Sequence, residues 1–133
     1  MSLTGRCLCG AITYEIASPP AMMGVCHCLN CQRQGGSAFS TLAGVAKADF
    51  TMHGEAKLYE DRDTDSGNPV ERWFCGNCGS PIYSALPGLP DQIFLKTGTL
   101  DDTSGFKPMF NAWCSTKQDW VALDEQVPAM AKT

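Results

Sequence analysis

Short segments in which apolar and polar residues alternate are the main pattern along the chain. The clearest one covers residues 11–16 and places Ile12, Tyr14 and Ile16 on one face, as a half-buried strand requires. Further short strands are predicted over residues 37–45, 48–52, 57–60, 70–74, 81–85 and 92–100. Glycine, proline, asparagine and aspartate are concentrated between several of these segments, which is typical of turns.

Helical periodicity over several turns is not found, and one short helix is predicted directly after Cys28. We therefore predict a mainly β, antiparallel fold. A chain of 133 residues has the size of one domain, so residues 1–133 are predicted to form a single domain. Its core is expected over about residues 5–120, and the tail from residue 124 to 133 is expected to be weakly structured.

Charge and hydropathy exclude several classes of function. The net charge is −4 and would reach about −7 with seven thiolates and two Zn²⁺ ions bound, which disfavours nucleic-acid binding through bulk charge. No apolar run approaches the length of a membrane span or of a signal peptide's hydrophobic region. Eight cysteines without such a signal indicate metal binding or catalysis in a reducing compartment, and the cytoplasm is the predicted location.

Two pairs of cysteines are predicted to share one metal ion. Cys7 with Cys9 and Cys75 with Cys78 each lie on a glycine-bearing turn that leads into a strand. Together they supply four thiolates, the complete tetrahedral set of a structural zinc site. The alternative is that these cysteines are small apolar core residues, which their tight spacing disfavours.

A second cluster contains only three cysteines, namely Cys26, Cys28 and Cys31. Three thiolates on Zn²⁺ leave the fourth position open for water or substrate, as in catalytic zinc sites. Such a centre carries a net charge of −1 and still accepts a soft donor such as a substrate thiolate. We therefore predict a catalytic zinc at this triplet, two Zn²⁺ per chain in total, and a small thiol such as glutathione as substrate.

Other interpretations of the triplet remain open. Cys114 would close the site if it supplied a fourth ligand, although a lone distant cysteine is more often a buried thiol. His27 is expected outside the ligand set, and His53 is expected to be a partly exposed polar residue. A metal-free, redox-prone thiol cluster is a further alternative.

The three cysteine motifs together resemble the glutathione-dependent formaldehyde-activating enzyme family. The matching segments are Gly5-Arg6-Cys7-Leu8-Cys9-Gly10-Ala11, Cys26-His27-Cys28-Leu29-Asn30-Cys31 followed by Arg33, Gly36, Ser37 and Phe39, Phe74-Cys75-Gly76-Asn77-Cys78-Gly79-Ser80-Pro81, and Lys96-Thr97-Gly98-Thr99-Leu100-Asp101-Asp102. A looser echo runs from Ser115 to Trp120, so the resemblance extends from about Gly5 to Trp120.

Membership would imply coiled antiparallel β-sheets similar to methionine-R-sulfoxide reductases, a structural and a second zinc on the two cysteine clusters, and carbon–sulfur bond chemistry. The founding activity joins formaldehyde and glutathione to give S-hydroxymethylglutathione. The chain departs from the family's pattern at Asn111, where the family commonly has a histidine. This difference bears on whether the substrate of the founding activity is retained. Asparagine forms hydrogen bonds but does not transfer protons near neutral pH.

Four residues are predicted to contact the substrate of a zinc-dependent carbon–sulfur lyase or synthase. They are Arg33 for a carboxylate, Ser37 for an oxygen, Lys96 for an anion and Trp113 as a pocket wall. Each has a structural alternative, respectively a solvated charge, a turn residue, a solvent-facing lysine and a core aromatic. The alternative function is a non-catalytic, zinc-stabilised module that binds a protein partner.

Overall fold

Ten strands and one α-helix make up most of the regular structure in the computed structural model, which describes residues 3–132. The strands are β1 Leu3–Arg6, β2 Thr13–Ile16, β3 Met22–Cys26, β4 Ser40–Ala46, β5 Phe50–His53, β6 Ala56–Asp61, β7 Val70–Cys75, β8 Pro81–Ala85, β9 Gln92–Lys96 and β10 Asn111–Ala112. The helix, α1, spans Leu29–Gly35, and short 3-10 turns occupy Lys47–Asp49, Thr97–Thr99 and Cys114–Thr116. The prediction of a mainly β fold is confirmed.

Two sheets are formed, one of three strands in the order β1-β2-β5 and one of seven in the order β10-β3-β4-β9-β8-β7-β6. All pairings within them are antiparallel except that of β10 with β3, which is parallel. The predicted antiparallel arrangement therefore does not extend to this edge of the large sheet. The exception is possible because a long connection separates β3 from β10, and parallel neighbours need such a crossover.

The hydrophobic core lies between the two sheets. Ile12, Tyr14 and Ile16 of the small sheet and its entry turn pack against buried residues of the large sheet, among them Ala43 on β4 and Leu95 on β9. Successive side chains of a strand point to opposite faces. The neighbouring residues on β4 and β9 therefore belong to the other face of the large sheet, and Leu42, Phe94 and Lys96 of that face line a cavity.

Two glycines lie on that second face, and neighbouring apolar side chains occupy the space above them. A Cβ atom on Gly24 of β3 would lie 2.3 Å from the ring of Phe110, and one on Gly44 of β4 would lie 2.7 Å from Cγ of Met22. Both positions exclude any larger residue unless these side chains move. At these two positions the side chains of Phe110 and Met22 therefore pack directly on glycine backbone.

As far as Lys132, the C-terminal segment forms no helix or strand, but backbone hydrogen bonds attach it to β10 and the turn that follows. The amide of Asn111 donates to the Pro128 carbonyl at 2.8 Å, and that of Met130 donates back to Asn111 at 2.8 Å. Trp113 donates to the carbonyl of Lys132 at 3.3 Å. The tail therefore supports the one non-glycine residue among those described whose φ is positive, Trp113 at 58°.

Candidate metal centres and the adjoining cavity

The four paired cysteines meet at the junction of the two sheets. Their Sγ atoms all lie within 4.8 Å of one another, with Cys7 and Cys9 at 3.6 Å and Cys9 and Cys75 at 3.8 Å. Two thiolates at about 2.3 Å from a shared tetrahedral Zn²⁺ are about 3.8 Å apart. The four-cysteine cluster therefore fits a closed zinc site.

Local backbone geometry shapes this cluster. Gly10 and Gly79 adopt φ values of 81° and 82°, which allow the chain to turn around the sulfurs where a side chain would be strained. Hydrogen bonds to its sulfur, chiefly from Ser80, lower the pKa of Cys78 to about 5. The turn at Gly79 thus favours the thiolate form of Cys78 that a metal requires.

The three remaining clustered cysteines lie where β3 ends and α1 begins. Their Sγ atoms also lie within 4.8 Å of one another, and those of Cys28 and Cys31 are 2.9 Å apart. Cys28 is the N-cap of α1, and its sulfur accepts a hydrogen bond from the amide of Cys31 at 3.2 Å. The end of β3 and the first turn of α1 therefore gather the three sulfurs. Three thiolates are a donor set that Zn²⁺ accepts with one position left over, although the Cys28–Cys31 separation of 2.9 Å is shorter than the separation of about 3.8 Å between two thiolates on one ion.

Cys31 is the member of this triplet whose surroundings most favour the thiolate form. Hydrogen bonds from Cys26 and Cys28, with help from the nearby charges of Lys96 and Arg72, lower the pKa of Cys31 to about 2. Hydrogen bonding to the same neighbours and burial raise the pKa of Cys26. For Cys28, the hydrogen bond from Cys26 lowers the pKa, but Cys31 and burial outweigh it and leave the pKa raised.

Two buried cations face the triplet. Arg72 on β7 donates from Nε to Oδ2 of Asp61 at 2.9 Å, and Asp61 also accepts a hydrogen bond from Asn30 of α1 at 2.9 Å. Lys96 on β9 donates from Nζ to Oγ of Ser40 at 2.8 Å. Burial lowers the pKa of Lys96, and the triplet thiolates act in the opposite direction. These cations offset part of the charge of three thiolates.

A cavity of about 310 Å³ opens beside the triplet. Its walls include Cys26 and Cys31 together with both cations, Lys96 and Arg72, and the indole of Trp113. The other walls are mainly apolar side chains from the second face of the large sheet. A space of this size, apolar with a few convergent polar groups, is typical of small-molecule sites.

The four predicted substrate contacts separate into two groups. Lys96 and Trp113 line the cavity beside the triplet. Arg33 and Ser37 lie outside it, where both border a shallow depression on α1 and the loop after it. Both of these residues are exposed. The structure thus brings two of the four to the triplet's cavity.

His27 and Asn111 form a buried pair next to the triplet. Nε2 of His27 lies 3.0 Å from Oδ1 of Asn111, while Nδ1 has no hydrogen-bond partner in the described part of the chain. His27 is only 1% exposed, and it is not part of the three-sulfur cluster. Cys114 contacts the Asn111 carbonyl through Sγ at 3.5 Å and is not part of the three-sulfur cluster. His53 is exposed and contacts Glu15 at 3.2 Å.

Three residues of the site, namely Asp61, Arg72 and Ser84, escaped prediction from the sequence. Each is at least nine-tenths buried, although polar residues in a short strand usually face solvent. The signal available was the position of Arg72 between Val70 and Phe74, in the apolar phase of an alternating strand. A charged residue in that phase indicates a buried, partnered group.

Comparisons with known proteins agree with the cysteine motifs. Two relatives are each 27% identical: one of Halomonas elongata, named "Putative glutathione-dependent formaldehyde-activating enzyme" (95% of this chain, 83% of the relative), and an uncharacterised lyase of Schizosaccharomyces pombe (92% and 75%). A crystal structure of a Rhodobacter sphaeroides protein shares the fold, with a TM-score of 0.57 at 24% identity over 79% of this chain and 91% of the other. The model of one family, described as glutathione-dependent formaldehyde-activating enzyme, matches residues 2–116. The chain therefore belongs to the glutathione-dependent formaldehyde-activating enzyme family.

Proposed function

We propose that the protein is a zinc-dependent carbon–sulfur lyase or synthase that joins a small thiol to a carbonyl compound, or separates the two. The observation that carries this proposal is the placement of a three-sulfur cluster in the wall of a cavity of about 310 Å³. The family name and the lyase name of the yeast relative support it. Glutathione is the thiol that the family name suggests.

The two clusters are proposed to hold one Zn²⁺ each. Cys7, Cys9, Cys75 and Cys78 would hold a structural ion, and Cys26, Cys28 and Cys31 a catalytic one. When bound by three thiolates, Zn²⁺ supplies an open position for a substrate sulfur and lowers the pKa of that thiol. The chain's own contribution is to exclude bulk water and to orient the carbonyl partner.

Lys96 is the residue best placed to orient that partner. Its ammonium carries three N–H donors, and one of them is used by Oγ of Ser40 at 2.8 Å. Held there in the wall of the cavity, Lys96 is proposed to donate a hydrogen bond to the oxygen that gains electrons when sulfur adds to the carbonyl carbon. Trp113 lines the same cavity and is proposed to shield part of it from solvent.

Other features of this interpretation are proposals of the same kind. Asn111 cannot act as an acid or base, so proton transfer would fall to other groups or to solvent. Cytoplasmic location rests on the free cysteines, and the similarity to methionine-R-sulfoxide reductases rests on family resemblance. Among residues 3–132 no helix is both long and apolar enough to cross a bilayer.

Cobalt substitution tests the open coordination site. The Co²⁺-loaded protein is titrated with glutathione while the visible absorption bands of the metal are recorded, and activity is assayed with formaldehyde. We expect the parent protein to show a thiol-dependent spectral change. The Cys28→Ser variant should lose this change, one of the two metal ions per chain, and the activity. Cys114→Ser is the matched control, because Cys114 lies outside both clusters, and it should keep two metals and the response.

Two results would contradict the proposal. A Co²⁺ spectrum that no thiol perturbs would indicate a saturated metal and favour the non-catalytic binding module. Loss of the second metal in Cys114→Ser would indicate that four protein sulfurs close the site.

A further inference from the structure

One row of side chains crosses the floor of the cavity next to the triplet. Arg72 on β7 is the register partner of Ser84 on β8, and Ser84 is the partner of Phe94 on β9. All three line the cavity. Cross-strand partners lie side by side on one face of a sheet, so the row passes from a cation, through a hydroxyl, to an aromatic ring.

The hydroxyl of Ser84 is a buried polar group without a partner. Ser84 is 6% exposed, and its Oγ has no hydrogen-bond partner among the residues that the structure describes. Leaving a buried hydroxyl unpaired is unfavourable. A ligand oxygen in the adjacent cavity would supply the missing hydrogen bond.

The polar groups of the cavity converge near the triplet. Arg72 is held by Asp61, and Lys96 has N–H donors beyond the one that Ser40 accepts. Ser84 lies in the same floor. Arg72, Ser84 and Lys96 can each donate a hydrogen bond, so together they suit a ligand oxygen bound next to the sulfur cluster. The other residues that line the cavity carry no charge apart from the cysteines.

Apart from Ser66 and Asn68 at its border, the rest of the cavity is apolar, and its volume is larger than formaldehyde requires. Met22, Leu42, Phe94 and Phe110 line it, and two of these side chains lie over the bare backbone of glycines. Since a water molecule takes about 30 Å³ in the liquid, a volume of about 310 Å³ holds about ten non-hydrogen atoms. Formaldehyde contributes two, so most of the apolar volume is available to something else.

We propose that the carbonyl partner of this site carries an apolar alkyl or aryl substituent, and that Ser84 and Lys96 bind its oxygen while Met22, Phe94 and Phe110 bind the substituent. This inference rests on the proposed function and refines its substrate class. The thiol part would extend past the exposed residues Ser66 and Asn68, which border the cavity. There a polar thiol such as glutathione keeps its charged groups in solvent.

The reaction so described balances without an oxidant or reductant. The thiol R–SH loses its proton, its sulfur forms a bond to the carbonyl carbon of R′–CHO, and the π electron pair moves to the oxygen. The oxygen takes up one proton, giving R–S–CH(OH)–R′. The reverse sequence breaks the carbon–sulfur bond and returns both reactants.

Unreactive amides of different chain length allow the contribution of the carbonyl oxygen to binding to be measured separately from that of the apolar substituent. Acetamide and hexanamide present the same carbonyl and differ by four methylenes. Their affinities for the zinc-loaded protein are measured by isothermal titration calorimetry. Each buried methylene strengthens binding by about fourfold, so four of them should make hexanamide bind about 250-fold more tightly than acetamide. Affinities equal within twofold would overturn the proposal.

Substitutions in the apolar wall test the location of that preference. Phe94→Asn should reduce the preference for hexanamide to about tenfold or less and leave acetamide binding unchanged. Met22→Gln tests the same wall if Phe94→Asn does not fold. The matched control is Leu58→Asn on the exposed edge strand β6, which should retain the full preference. A preference unchanged in both wall variants would contradict this assignment.

Ser84→Ala tests the oxygen contact. We expect about fivefold weaker hexanamide binding from the lost hydrogen bond, and an unfolding midpoint in urea no lower than that of the parent protein because the unpaired hydroxyl is gone. Ser104→Ala, in an exposed turn, is the control. Lower stability with unchanged hexanamide affinity would show a merely structural hydroxyl and overturn this part.

The two levels of inference fail separately. If glutathione perturbs the Co²⁺ spectrum but the amides bind equally, the lyase proposal stands and the apolar substrate class is wrong. If hexanamide is preferred while no thiol perturbs the Co²⁺ spectrum, the apolar cavity is supported and the thiol chemistry is wrong.

Discussion

The guanidinium of Arg72 and the carboxylate of Asp61 form an ion pair at 2.9 Å, with side chains only 6% and 9% exposed. Burial lowers the pKa of Arg72, but the thiolate of Cys31 and the carboxylate of Asp61 outweigh it, so the pKa is raised. The pair therefore supports a permanent positive charge next to the triplet. Asn30 ties the same carboxylate to α1.

Removing the Asp61 charge should destabilise the protein strongly. Asp61→Asn leaves Arg72 buried with its main partner neutralised, and breaking a buried pair in this way costs about 3–5 kcal/mol of unfolding free energy. Urea unfolding of the zinc-loaded protein measures the change. Glu60→Gln is the control, because the Glu60–Arg62 pair is exposed and such pairs contribute under about 1 kcal/mol. Similar losses in the two variants would contradict the assignment.

The two cysteine clusters should differ in their effect on folding. Cys9 and Cys75 are far apart in sequence, whereas the triplet falls within six consecutive positions. Closing a long loop removes more entropy from the unfolded chain than closing a short one. Cys75→Ser should therefore lose one zinc and much of its thermal stability, while Cys28→Ser should lose one zinc and retain its near-ultraviolet circular dichroism.

Metal analysis combined with thermal unfolding checks this difference. Equal destabilisation by Cys75→Ser and Cys28→Ser would show that the triplet is as structural as the four-cysteine cluster. Retention of two zinc ions in either variant would contradict the ligand assignment itself.

The ionisation of Tyr14 should lower the free energy of unfolding at alkaline pH. Burial, partly offset by the hydrogen bond to Thr99 at 2.7 Å, raises the pKa of Tyr14 from 10.0 to about 12. The unfolded chain then loses this proton first, so the stabilisation is fully present below about pH 10 and is lost as the pH rises towards 12. Tyr14→Phe should remove this component.

Urea unfolding of Tyr14→Phe as a function of pH measures the effect. At neutral pH the variant should lose about 1 kcal/mol, because Thr99 loses a hydrogen-bond partner. Tyr59→Phe, at a residue 60% exposed, should behave like the parent. A parent-like alkaline decline in Tyr14→Phe would assign the pH dependence to other groups.

The tail should hold Trp113 in the cavity wall. Met130→Pro removes the amide that donates to Asn111 at 2.8 Å, and we expect a loss of about 1 kcal/mol or more. Met130→Ala keeps the amide and should be nearly neutral. In a Trp73→Phe, Trp120→Phe background, Trp113 is the only tryptophan, and its fluorescence should shift to longer wavelength only in Met130→Pro. An unshifted spectrum would show that the tail does not support the indole.

The sequence predicted best those elements that local chemistry specifies. The alternating strand β8 was predicted with the bounds observed, Pro81–Ala85, and cysteine spacing gave the two sulfur clusters found in the structure. A short helix after Cys28 is also present as α1. These features depend on neighbours in the chain, so pattern reasoning reaches them.

Elements defined by distant partners were missed. β3, with the sequence Met-Met-Gly-Val-Cys, lacks alternation and contains a glycine. β10 is two residues long and exists through its pairing with Val25 and Cys26. Residues 97–100 were predicted as the end of a strand, yet the chain leaves β9 at Lys96 and forms a 3-10 turn. The meeting of Arg72, Ser84 and Lys96 likewise follows from strand order, which single-chain periodicity does not encode.

Gly24 and Gly44 give the cavity a property that its lining residues alone do not reveal. Because Phe110 and Met22 rest directly on backbone at these positions, a single methyl group added beneath either side chain would push it upward into the open volume. The depth of the cavity therefore depends on Gly24 and Gly44, which lie beneath the lining side chains and are not among the lining residues. Gly24→Ala and Gly44→Ala offer a route to shorten the acceptable chain length of a substrate without altering any contacting side chain.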